Sequence, residues 1–504
     1  MSQPGRGWVL ILAVRSWMAG KADPELPDSQ ISKQPLTSMG SKKVIINILS
    51  LGSGEVIARI VAYLGTAYLT RELGPAGFGI IGFANALYGY LSLPIHAGFQ
   101  DMGSREVARR PHEASDIALS VTLVRLVLAF VALAILSLIA WLLNKSILVK
   151  QVVILTGLSF FSLALDTSWV YKGLERNHRV GLALVSGQIL YVAALLYTVK
   201  GPQDILWVPI SQFLGEGGTA FLLTVPLIPF RKFRWDFREG WHMLQNSGFS
   251  VLAHLLRMLI FTFDVVLMGF LLTEKEVGLY TASSRFCFLL MNVAAVIRIS
   301  YIPALTRASI QGIQQIAEVA GHSIELSSVI SIPLTIGGVL VAAPLLTTLF
   351  GPGYEEGAGA FRLLILSFGL IFFSDVTQNI LLVGNRMKMH MGMVAVTAGI
   401  NVGLNWVLIP CYGLMGAAFT TLLAEILLLL MEFWVVYRMG VRIGLKQVIR
   451  PLLAAGVMGL GLIALGSGRA LSLYLGVGSI LYFFVLAGLR GIPRDLRPYF
   501  PMKR

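Results

Sequence analysis

From Val44 onward the chain is built of long apolar stretches separated by short polar turns. A bilayer-spanning helix needs roughly 20 such residues, and fourteen stretches qualify. They run at about 44–69, 77–98, 115–143, 148–170, 179–199, 204–229, 242–271, 277–305, 318–349, 357–383, 389–409, 413–437, 446–466 and 470–489. The runs lack the period-two alternation of strands, and an open sheet cannot span lipid. Hydrophobic residues make up 56% of the chain and charged residues 13%, against roughly a quarter charged in soluble proteins. That balance excludes a soluble enzyme and a disordered chain, and predicts an all-α polytopic membrane protein. The 52 glycines are spread through the runs, as in membrane helices that pack backbone to backbone.

The net charge of +14 is read as topology rather than as nucleic-acid binding, because cytoplasmic loops collect Lys and Arg. With the N-terminus inside and the spans alternating, 28 of the 40 Lys and Arg residues fall on inside segments and 6 on outside turns. Both termini are then expected in the cytoplasm. Cys287 and Cys411 lie in apolar runs, which argues against a disulfide framework or a structural zinc site.

Residues 1–43 are rich in Pro, Gly, Ser and Lys and are expected to form a disordered cytoplasmic extension. The apolar run Trp8–Val14 is short for a signal peptide, and a start at Met39 would remove most of the extension. Two turns then echo one another. Leu73-Gly74-Pro75-Ala76-Gly77-Phe78-Gly79-Ile80 follows the first span, and Leu272-Thr273-Glu274-Lys275-Glu276-Val277-Gly278-Leu279 follows the seventh, 199 residues on. A weaker echo pairs Lys172-Gly173-Leu174-Glu175-Arg176 with Val383-Gly384-Asn385-Arg386. A parallel repeat of this kind predicts two six-helix lobes with a site between them. The expected divisions are an N-lobe at 44–230, a C-lobe at 231–440, and two further helices with a basic tail at 441–504.

Charges within spans are costly and mark candidate sites. On the first span Glu55 and Arg59 are four apart and share a face. On the seventh, Ser250, His254, Arg257, Phe261 and Asp264 follow a 4-3-4-3 spacing that makes one polar stripe. The 199-residue offset carries Glu55 to His254 and Arg59 to the neighbour of Arg257. Both helices thus place a cation near mid-membrane, although local neutralisation within each helix accounts for the same residues. Arg285 and Arg298, on the span after the repeat turn, are candidates for the same cavity. Arg125 and Arg362 are weaker ones. Asp166, Glu216, Glu325, Asp375 and Glu425 are read as paired or cavity-wall residues, and Glu432 as solvated near the inner edge. Asn47, Asn85, Asn292, Gln378, Asn379, Asn401 and Asn405 suit either a sugar chain or interhelical hydrogen bonds. Tyr63, Tyr88, Tyr90 and Trp169 suit sugar stacking or the membrane interface.

The segments Leu73-Gly74-Pro75-Ala76-Gly77-Phe78-Gly79 and Gly103-Ser104-Arg105-Glu106-Val107-Ala108-Arg109 resemble the start of the polysaccharide flippases. These are O-antigen and exopolysaccharide exporters of the multidrug/oligosaccharidyl-lipid/polysaccharide superfamily. Asn401, Asn405, Pro410, Gly413, Gly416-Ala417-Ala418 and Glu425 are similar to that family's eleventh and twelfth helices, so the resemblance covers about residues 42–490. It implies a non-enzymatic exporter in the cytoplasmic membrane, without cofactor. Its substrate would be a polyprenyl-diphosphate-linked oligosaccharide, and the span charges supply the candidate cavity residues Arg59, Arg257, Glu55, His254, Asp264, Arg285 and Arg298. Membrane lipid and glycan polymerases or glycosyltransferases are the implied partners, and nucleic acid is not. No Walker A loop, dinucleotide fingerprint or metal-spaced His pair is present. A drug or cation antiporter of the same superfamily is the alternative, and a scaffold subunit of a glycan assembly complex a third reading.

Overall fold

A computed structural model describes residues 38–96, 98–227, 237–442, 444, 446–466 and 468–491. The chain divides into units 1–46 and 47–504, and the second holds the helical bundle. Residues 1–37 of the N-terminal extension, the basic loop at 231–236 and the tail beyond 491 lie outside the described residues.

The first half of the chain holds α1 (Ser38–His96), α2 (Phe99–Arg109), α3 (Ala114–Leu142), α4 (Ile147–Thr156), α5 (Ser159–Leu165), α6 (Ser168–Gly173), α7 (Asn177–Thr198) and α8 (Trp207–Thr224). The second half holds α9 (Arg238–Asn246), α10 (Gly248–Phe261), α11 (Phe263–Leu271), α12 (Glu274–Gln311), α13 (Ile313–Leu340), α14 (Ala342–Phe350), α15 (Ala358–Val383) and α16 (Met387–Arg438). The chain closes with α17 (Lys446–Ala464) and α18 (Leu471–Gly488). Among the described residues there is no strand.

Ten helices among the described residues are long and apolar enough to cross a membrane, and eleven if α10 and α11 form one bent span. Fourteen is reached only by counting the kinked helices α1 and α16 twice each and adding α8, whose Ser211, Gln212 and Glu216 make it more polar. The kinks have a local cause. Gly74 (φ 64°) and Gly413 (φ 56°) take a left-handed conformation inside otherwise continuous helices. A side chain there would be strained. Pro75 then supplies a pre-set φ for restarting the helix.

The weaker sequence echo is the same local structure twice. Glu175 (φ 56°) and Asn385 (φ 53°) both adopt left-handed backbone after a helix end. The next amide donates back across the turn in each case, Arg176 to Tyr171 O at 2.8 Å and Arg386 to Leu381 O at 2.8 Å. This is the Schellman pattern of helix termination.

Within the first half α7 packs on α8, and α5 on α3 and α8. Within the second, α15 packs on α16, α12 and α13, and α10 on α16. The closing pair α17 and α18 pack on one another, with α17 against α13. The two halves meet where the strong repeat lies. A Cβ on Gly79 would fall 1.8 Å from Glu274 O, and one on Gly278 would fall 1.8 Å from Pro75 O. The start of α12 and the second segment of α1 therefore cross backbone to backbone, through residues that the 199-residue offset makes equivalent.

The same end is tied further. Lys145 lies 3.2 Å from Glu274 and donates to Leu272 O at 3.1 Å. Arg71 donates to Thr348 O at 2.7 Å, and the Tyr354 hydroxyl to Thr70 O at 3.3 Å. Past the C-terminus of α2, Arg110 gathers Glu106, Glu113 and Glu239. Its hydrogen bonds to Glu239 and Glu106 hold the guanidinium above its ordinary range. Gly240 N donates to Ser120 Oγ at 3.0 Å, which docks α9 on α3.

Candidate functional site

The stripe expected on the seventh span is divided by a bend. Helices α10 and α11 meet at 53° around Thr262. Met258 O there accepts from the Thr262 amide at 2.9 Å, from the Thr262 hydroxyl at 2.9 Å and from the Tyr90 hydroxyl at 3.0 Å. Side chains competing for one helical carbonyl are a recognised cause of such kinks.

Before the bend, His254, Arg257 and Phe261 line a cavity of 370 Å3 with Asp375, His390, Glu425 and Glu432 from α15 and α16. The Arg257 guanidinium lies 5.9 Å from the centroid of the Phe261 ring. Among the described residues it has no carboxylate within ion-pair distance. After the bend, Asp264 leaves that face and is buried. Its carboxylate accepts from Val265 N at 2.7 Å, from the Tyr280 hydroxyl, and from Thr421 at 3.4 Å. It ties α11 to α12 and α16 and does not line the cavity.

The acidic wall is more organised than the sequence suggests. Asp375 lies 3.3 Å from Arg298, whose carbonyl accepts from Asn379 at 2.8 Å. Glu432, expected to be solvated, is instead 0% exposed. It accepts from Ser374 and Thr377, each at 2.6 Å, and lies 3.1 Å from His390 Nδ1. The reason is spacing: Glu425 and Glu432 are seven residues apart, so both turn towards α15. His390 Nε2 in turn lies 3.0 Å from the Gln378 amide.

A second cavity, of 560 Å3, lies in the first half. Ala58, Ala62, Thr66 and Leu69 of α1 form one wall, with Asn85, Tyr88, Gln188, Tyr191, Gln212 and Glu216 around it. Arg285 enters it from α12. Glu55 precedes Ala58 by one helical turn on the same face. It pairs with Arg59 at 3.8 Å, and the two side chains are 40% and 52% exposed.

The seven candidates thus divide. Arg257 and His254 line one cavity, with Arg298 behind Asp375. Arg285 lines the other, Glu55 and Arg59 continue its α1 face, and Asp264 is a buried helix tie. Other polar residues are structural. Arg125 donates to the carbonyls of Ile95 at 2.8 Å, Asp166 at 2.6 Å and Leu163. Trp169 is buried, and Asn405 donates to Asn401 at 2.9 Å. Sequence reading passed over Gln188, Tyr191 and Gln212. Their available signal was the helical spacing of Gln188 with Tyr191 and of Gln212 with Glu216.

The family model described as polysaccharide biosynthesis protein matches residues 44–309. The chain is 25% identical to a Haloferax volcanii protein named "Probable flippase AglR", over 73% of this chain and 78% of that one. It is 22% identical to a Shigella dysenteriae protein named "Putative O-antigen transporter", over 77% of this chain and 98% of that one. Among solved structures, the lipid II flippase MurJ in an inward closed conformation superposes with TM-score 0.72 at 14% identity, over 89% of this chain and 99% of that one. A multidrug resistance MATE transporter in an inward-facing conformation gives 0.62 at 14% identity, over 78% of this chain and 99% of that one.

Proposed function

The chain belongs to the polysaccharide biosynthesis protein family, and from that premise we propose that it is a flippase without enzymatic activity. It carries a polyprenyl-diphosphate-linked oligosaccharide from the cytoplasmic to the outer leaflet of the cell membrane. The observation that carries the reading is Arg257, a guanidinium without an ion-pair partner among the described residues, on the wall of a cavity inside a spanning bundle. A cation at mid-membrane costs about 2.5–3.5 kcal/mol on insertion scales, and a diphosphate is the anion that a planar, always-charged donor set binds well. Arg59 supplies a second guanidinium from the equivalent helix.

Fourteen spans in two six-helix lobes, with α17 and α18 added, form the proposed architecture. The excess of Lys and Arg on one side of the proposed topology supports a cytoplasmic position for both termini. The Gly79–Gly278 crossing is then the extracytoplasmic end, shut in the form described. Rocking of the lobes that parts this contact and closes the cytoplasmic side alternates access, while the polyprenyl tail stays in lipid. A glycan polymerase on the outer face is the partner that takes the product.

The carboxylates Asp375, Glu425 and Glu432 on the Arg257 cavity favour a second reading, an ion-coupled cation antiporter. Liposomes separate the two. Purified protein should move a lipid-linked oligosaccharide across the bilayer without ATP and should not export cationic dyes. Dye efflux with no lipid-linked sugar movement would replace the flippase with the antiporter.

Orientation has its own test. Single cysteines in the 351–356 turn should react with an impermeant maleimide in intact cells, and those near Arg438–Arg442 only after permeabilisation. The reverse pattern would invert the topology.

A further inference from the structure

The cavity of the first half differs in chemistry from the one around Arg257. Its volume of 560 Å3 falls within the ~300–1,000 Å3 of small-molecule sites. Asn85, Gln188 and Tyr191 line it with accessible surface. Their side chains have no hydrogen-bond partner among the described residues. Polar groups inside a membrane bundle are ordinarily satisfied by the protein. Three left open on one cavity call for a ligand rich in groups that both donate and accept.

The charges narrow the choice. Glu216 is in the wall, held by the Gln212 amide at 2.9 Å. A diphosphate only accepts hydrogen bonds, so it would leave Glu216 and the carbonyl oxygens of the Asn85 and Gln188 amides unserved. A sugar ring is different: its hydroxyls donate to Glu216, accept from Arg285 and do both with the amides of Asn85 and Gln188. Tyr191 adds a ring face and an uncommitted hydroxyl. Among the described residues Arg285 has no carboxylate within ion-pair distance, so its donors are available.

Resting on the flippase reading above, we propose that this cavity is the glycan-reading subsite. It seats the sugar rings nearest the diphosphate, and the diphosphate itself stays with Arg257 and Arg59. Arg285 gives the subsite a consequence for transport. It lies on α12, two turns past Gly278, so a seated sugar touches both halves of the chain. A lipid carrier without sugar lacks that bridge.

The test uses the full-length protein in liposomes, with exposed Cys411 replaced by serine and one cysteine introduced as Gln188→Cys. Thr66→Cys, on the facing wall, is read alongside, so that a variant that fails to insert does not decide the result. The probes are the lipid-linked glycan fraction of the source cells and polyprenyl diphosphate without sugar. Maleimide labelling at 188 or 66 should slow at least about threefold with the glycan fraction and not with the bare diphosphate. Gln188→Ala and Tyr191→Phe should each raise the glycan-lipid concentration for half-maximal flipping about tenfold, the loss of one hydrogen bond to substrate, with the maximal rate kept. Equal protection by bare polyprenyl diphosphate would assign the cavity to the diphosphate and overturn the proposal. No protection by either probe, in protein that flips the glycan fraction, would overturn it and leave the flippase reading standing. Failure of the unsubstituted protein to flip the glycan fraction would remove both.

Discussion

Arg257→Ala is expected to lower glycan export about 100-fold, because a charged, forked contact to phosphate is worth about 3 kcal/mol. Membrane abundance should stay near normal. Arg257 stacks on one phenylalanine and, among the described residues, has no carboxylate within ion-pair distance, so its loss breaks no direct salt bridge. Arg257→Lys should retain part of the activity, since the charge survives and the fork does not. Arg59→Ala should cost less, about tenfold, because Glu55 already engages that guanidinium at 3.8 Å. Complementation of a glycan-export defect, with immunoblotting of membranes, measures both. Normal export by Arg257→Ala, or loss of export only in step with loss of protein, would make this arginine a packing residue.

Substitution at the crossing of the two halves should have an effect of comparable size by another route. An added Cβ at Gly79 or Gly278 would sit 1.8 Å from a backbone oxygen of the facing helix. The helices would have to part by about 1.5 Å to restore an ordinary C···O contact of about 3.3 Å. Neither neighbour is a flexible side chain that can swing aside. Gly278→Ala should therefore prevent closure of that end. Export is expected to fall by about tenfold or more, in keeping with an overpacking cost of about 1–3 kcal/mol. A cysteine at Ser284, buried behind the crossing, should become reactive to an impermeant thiol reagent from outside. Gly399→Ala, where the added Cβ meets no atom within 4 Å, is the control and should export nearly normally. A Gly278→Ala variant that exports at full rate with Ser284→Cys unreactive would show that this crossing is not the gate.

The apolar runs disclose the spanning helices because hydropathy reports the solvent a segment needs. It is silent on whether the helix inside that solvent is continuous. The run at 148–170 reads as one span, yet the backbone breaks it into α4, α5 and α6, at Gly157 and again at Asp166. At the second break the Asp166 carboxylate accepts from Ser168 N at 2.9 Å and caps the next turn. The polar stripe on the seventh span fails for a related reason. A 4-3-4-3 spacing puts residues on one face only while the axis is straight, and the bend at Thr262 turns Asp264 inward. That bend depends on Tyr90, which comes from another helix and cannot be read from local spacing. Arg285 and Arg298 are the opposite case. Thirteen residues apart, they lie on different sides of α12, and the structure sends them towards different cavities.

The contact between Gly79 and Gly278 has the form of a homodimer interface inside one polypeptide. Pro75 O faces Gly278 as Glu274 O faces Gly79, and both pairs are related by the same shift of 199 residues. Such isologous contacts need only one surface, used twice. An ancestor with half this length would have owned the whole joint and closed by pairing with a second copy of itself. Fusion removes the need for both halves to stay alike beyond that joint. Amides and tyrosines gather in the cavity of one half, carboxylates and histidines in that of the other, while the glycines at the axis remain twins.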